Sequence, residues 1–122
     1  MALPHISSGD IVDLSPLGEK LHGMVSHALV KTDHLELIRL ILPTDKRFPM
    51  HQVKGEITIH CLEGVVAMEV IHDERKEEYL MTGGQLLYLA GNIPHALHAR
   101  EDASLLVTIL LPRKDEAGAA PQ

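Results

Sequence analysis

From Val25 onward the chain is cut by turn residues at short intervals, and this punctuation limits the fold more than any other feature. Breaks fall at Thr32-Asp33, Pro43-Thr44-Asp45, Lys54-Gly55, Glu63-Gly64, Asp73-Glu74-Arg75-Lys76, Thr82-Gly83-Gly84, Gly91-Asn92 and Glu101-Asp102. The apolar runs between them are too short for typical helices. They predict strands near 25–31, 35–42, 49–53, 56–62, 65–72, 77–81, 86–89, 95–100 and 103–111. Short strands in regular succession make an all-β sandwich or barrel. Ahead of them, Pro16 and Gly18 favour turns or one helical turn around 15–21. The expected organisation is an N-terminal strand and turn extension over 1–24, a barrel over 25–111 and a frayed tail over 112–122.

With 122 residues there is room for one domain, and 45% apolar residues suffice for a core. Eleven basic residues against 17 acidic ones give a net charge of −6. That balance argues against nucleic acid or an anionic membrane as partner. No apolar run reaches the length of a membrane helix, and the first ten residues lack the pattern of a signal peptide. A single cysteine, Cys61, leaves neither an internal disulfide nor a cysteine zinc cluster. The expected location is the cytoplasm. Phe48, Tyr79 and Tyr88 are the only aromatics, too few for a base-stacking platform, whereas histidines number nine.

Two segments concentrate the candidate chemistry. One is Pro49-Met50-His51-Gln52-Val53-Lys54-Gly55-Glu56-Ile57-Thr58-Ile59-His60-Cys61-Leu62-Glu63-Gly64, the other Gly84-Gln85-Leu86-Leu87-Tyr88-Leu89-Ala90-Gly91-Asn92-Ile93-Pro94-His95. Together they resemble the two motifs of the cupin superfamily in its small single-domain form. The resemblance covers about 25–111 and implies a double-sheet jelly-roll barrel. His51 and His95 fall on motif histidine positions. Val53 replaces the second histidine of the first motif, and Ile57 stands where the family has glutamate, one residue after Glu56. In the second motif Ala90, Asn92 and Ala99 replace proline, glycine and asparagine. Asn at 92 tolerates a left-handed backbone.

Side chains alternate between the faces of a strand, so a His-x-His pair would converge on one metal, and Val53 removes one arm of it. The candidate metal ligands are His51, His95 and Glu56. Glu56 turns inward only if a bulge near Gly55 shifts the register. A divalent ion such as Zn, Ni, Mn or Fe would be weakly bound or absent. Met50, Val53, Ile57, Ile59, Tyr88 and Leu97 are candidate pocket residues. His98 is predicted to face away from His95, and His60 away from the interior. Cys61 is expected inside as an inert thiol, since no cationic neighbour is evident.

Three functions stay open, and whether the chain is an enzyme stays open with them. The first is a small-molecule binder with His51 and His95 in an aliphatic pocket. The second is a mononuclear metal enzyme of dioxygenase type. The third is a non-catalytic dimeric module with a degenerate metal site. A homodimer or a larger closed oligomer is expected in any case, because 35–42 and 104–111 carry apolar residues on both faces.

Overall fold

The computed structural model describes residues 5–112. The tail expected over 112–122 lies outside the described residues apart from its first position. Among these residues nine strands form two antiparallel sheets: β1 (His27–Lys31), β2 (Leu35–Leu42), β3 (Arg47–His51), β4 (Ile57–Glu63), β5 (Val65–His72), β6 (Arg75–Thr82), β7 (Leu86–Leu89), β8 (His95–Ala99) and β9 (Ala103–Leu110). The larger sheet runs β1-β2-β9-β4-β7 and the smaller β3-β8-β5-β6. Each predicted strand is present, with its ends moved by up to two residues. A 3-10 helix over Gly18–Gly23 stands close to the expected helical turn. No helix of the described residues is long and apolar enough to cross a membrane.

Alternation places the core between the sheets. Ile57, Ile59 and Cys61 of β4 face Leu89 of β7 and Leu105 and Val107 of β9 within one sheet. Val66, Met68 and Val70 of β5, with Leu97 and Ala99 of β8, close the interior from the other. Cys61 is fully buried, and burial pushes its thiol pKa up, as an inert core thiol requires. Asp73 and Glu74 both take positive φ in the tight β5–β6 turn, and Asn92 does so before β8.

The outer face of the larger sheet is partly covered by the chain itself. Leu21, Leu29 and Ile41 are buried yet stand apart from the interior cluster. Beside them lies a buried charge cluster. The Arg39 guanidinium donates to the Ser15 carbonyl at 2.9 Å and approaches the Glu63 carboxylate at 3.6 Å. Glu63 also accepts the amides of Leu17 and Gly18 at 2.9–3.0 Å and the Ser104 hydroxyl. One carboxylate thus ties the N-terminal segment, β2 and β9 together.

Burial pushes the Glu63 pKa up, but the Leu17 amide, the Ser104 hydroxyl, the Gly18 amide and Arg39 together hold it below the ordinary glutamate value. A depressed folded-state pKa gives stability that is complete above the unfolded value and is lost as the pH falls through the folded one. Glu63→Ala should cost about 3–5 kcal/mol in urea unfolding at pH 7, because it strands a buried guanidinium. A loss below about 1 kcal/mol would show that the cluster does not hold the segment. The gap between the wild type and Glu63→Gln should narrow as the pH drops below about 4.

Candidate functional site

The site is built by an irregular stretch of β3. Phe48 pairs with Leu97, and His51 pairs with His95, with a register shift between the two pairs. Two residues, Pro49 and Met50, therefore intervene where regular pairing allows one. Phe48 and His51 consequently share the inward face, although simple alternation would oppose them. Pro49 has no N–H for the ladder, and β3 is an edge strand, where such a break is tolerated.

His51 and His95 are brought together, with ring centroids 4.4 Å apart and planes tilted by 53°. They stand at one end of a cavity of about 160 Å³ between the sheets. Its wall is aliphatic apart from Phe48: Ile38, Leu40, Val53, Ile57, Ile59, Leu97, Val107 and Ile109. His95 is 1% exposed, whereas His51 is exposed and marks the mouth. Burial pushes the His95 pKa below the ordinary histidine value, and the nearby His51 adds to the fall, against an opposing bond to the Ile93 carbonyl. His95 is therefore neutral at pH 7.

Val53, Ile57, Ile59 and Leu97 line this cavity, and the remaining candidates lie elsewhere. Glu56 is exposed and accepts the Tyr88 hydroxyl at 2.6 Å. Its carbonyl accepts the Leu110 amide, and Gly55 lies so close to the Leu110 carbonyl that no Cβ would fit. This contact fixes the start of β4 with Ile57 inward, so Glu56 does not turn in. Tyr88 pairs with Thr58 on the outer face of the larger sheet and is 55% exposed. Met50 lines a separate open groove on the outside of the smaller sheet, because the bulge turns it outward. His98 lines the same groove, 3.4 Å from Asp45, and His60 pairs with Leu106 on the outer face of the larger sheet.

Ile38, Leu40, Val107 and Ile109 were not among the sequence candidates. Their signal was available: they are the inward residues of β2 and β9, at the level of Ile57 and Ile59.

Among the described residues no three His, Cys, Asp or Glu side chains are grouped so as to hold a metal ion. Two imidazoles without a carboxylate do not fit a resident mononuclear metal, which requires at least three protein ligands in zinc and non-haem iron sites.

The chain matches no family model and no curated protein. Solved structures do match it. A conserved protein of unknown function from Streptococcus pyogenes, SPY1581, superposes with a TM-score of 0.72 at 23% identity, over 93% of this chain and 96% of that one. A cupin superfamily protein from Desulfitobacterium hafniense gives 0.64 at 16% identity, over 72% and 77% of the two chains. An RmlC-like cupin from Shewanella frigidimarina gives 0.62 at 16% identity, over 74% and 78%.

Val53 lies in the same cavity as both histidines, so Val53→His tests whether a third imidazole completes a metal site. Burying the larger polar ring should cost on the order of 1–3 kcal/mol without metal. Added zinc or nickel should then raise the melting temperature of the variant more than that of the wild type. Equal shifts would show that position 53 does not converge with His51 and His95. In sheet order, strand pairing and structural likeness, the chain has the cupin jelly-roll fold.

Proposed function

We propose that this protein binds a small molecule in the cavity between its sheets, with His51 and His95 as the polar end and the aliphatic wall as the remainder. One observation carries the reading: a buried imidazole and an exposed one face each other at the open end of an otherwise apolar cavity. A polar side chain in such a place adds little to stability, because an apolar group of the same shape is often neutral or better. A concave apolar site with a few convergent polar groups is the usual form of a ligand pocket. The likeness to cupin structures supports the fold on which this reading stands.

The chain is also proposed to pair with a second copy. Leu86, Tyr88 and Leu110 remain largely exposed on the outer face of the larger sheet, beside the half-buried Leu106 and His60. The N-terminal segment covers only part of that surface, and apolar area of this kind on a sheet face marks an interface.

Native mass spectrometry of protein purified without denaturant should reveal a bound compound that is lost in His95→Leu. The reading fails if no compound is carried and no member of a fragment library shifts the methyl resonances of Ile57, Ile59 and Val107. Light scattering at micromolar concentration should give a mass near twice 13.4 kDa, and the monomer mass would remove the second copy.

A further inference from the structure

The hydrogen bonds of the two histidines limit what the cavity can hold. His51 Nδ1 lies 3.0 Å from the Pro49 carbonyl oxygen, and His95 Nδ1 lies 2.9 Å from that of Ile93. A carbonyl oxygen only accepts, so each Nδ1 carries the proton and donates it. In the neutral ring Nε2 is then a lone pair, and an acceptor only. Neither Nε2 has a hydrogen-bond partner among the described residues. The cavity lining contains no other polar side chain among those residues. The pocket thus offers acceptors and no side-chain donor.

On the reading that the cavity binds a small molecule, we infer that its ligand is a neutral hydroxyl compound, a phenol or small alcohol, whose O–H donates to the Nε2 acceptor of His95. A carboxylate or phosphate would set its own lone pairs against the His95 Nε2, and among the described residues no Lys or Arg lines the cavity to compensate. An ammonium ion would give up its hydration for at most two imidazole acceptors, which is too costly in an aliphatic cavity. A hydroxyl satisfies the buried His95 acceptor and leaves the rest of the molecule to the apolar wall. The size agrees, since a cavity of about 150 Å³ with aliphatic walls takes a benzene-sized molecule.

Phenol and toluene have nearly the same shape and differ in the donor. Titration of the wild-type chain at pH 7.5, followed by methyl and histidine NMR shifts, should show phenol binding at least tenfold tighter than toluene. Benzoate should not bind. In His95→Leu the order should reverse, with toluene the tighter. If toluene matches or exceeds phenol on the wild type, the cavity is a plain apolar one. The inference is then overturned while the binding pocket stands. If neither compound shifts any cavity resonance, the inference is overturned, and the pocket falls with it if the fragment library also fails. Long-range proton–nitrogen spectra of the free wild-type chain read the tautomers directly. Protonated Nδ1 on both rings is expected, and a protonated Nε2 on either ring in its neutral form would overturn the inference without any ligand.

Discussion

A single irregularity in an edge strand decides what the interior of this barrel can do. Pro49 cannot donate to the sheet, so the pairing of β3 with β8 slips between Phe48 and His51. The slip turns two residues three positions apart to the same side. It also frees the Pro49 carbonyl, which accepts the Nδ1 proton of His51. At the other ring, Pro94 lies between Ile93, whose carbonyl takes the Nδ1 proton, and His95. Each imidazole is held by the backbone two residues before it. Ring direction and proton position are set by local chain geometry, with no carboxylate behind the rings, and this gives the cavity its chemical character.

The rest of the fold supplies what the bulge requires, a rigid wall opposite. β2, β9 and β4 provide it with paired inward residues at matching levels. Their outer side is stiffened by the Arg39–Glu63 cluster under the N-terminal segment. Among the described residues the buried Arg39 Nε has no partner, so the cluster is not fully satisfied there. Buried ion pairs seldom add much net stability, but removing one partner is costly. What the arrangement provides is a fixed path for the segment over the sheet.

Much of this was legible in the sequence. Turn residues mark the strand ends because Gly, Asn and Asp take backbone angles that strands exclude, and Asn92 with positive φ is an instance. His51 and His95 could be placed together because the motif resemblance carries a spacing already adjusted for the barrel. Alternation alone could not do so, and it gives no account of Met50 turning outward beside His51. Glu56 could not be oriented from sequence, since its direction depends on the approach of Gly55 to Leu110 across the sheet. Nor could Glu63, which reads as an ordinary turn residue before Gly64. Its partners Leu17, Arg39 and Ser104 are distant in sequence and carry no periodic signal. Apolar outer residues on β2 were legible as a face needing cover, but the sequence did not show that part of the cover is the chain's own N-terminal segment.

The place of β9 has a consequence for how the molecule is made. This late strand lies in the middle of the larger sheet, between β2 and β4. While the ribosome is still working, β2 and β4 have no neighbour on their facing edges. At about 5–20 residues per second, the stretch from Glu63 at the end of β4 to Ala103 takes roughly 2–8 s to synthesise. During that interval two apolar strands present open backbone edges to the cell. The larger sheet can close only once β9 has been made, and the nascent form before that point is the stage most exposed to misassociation.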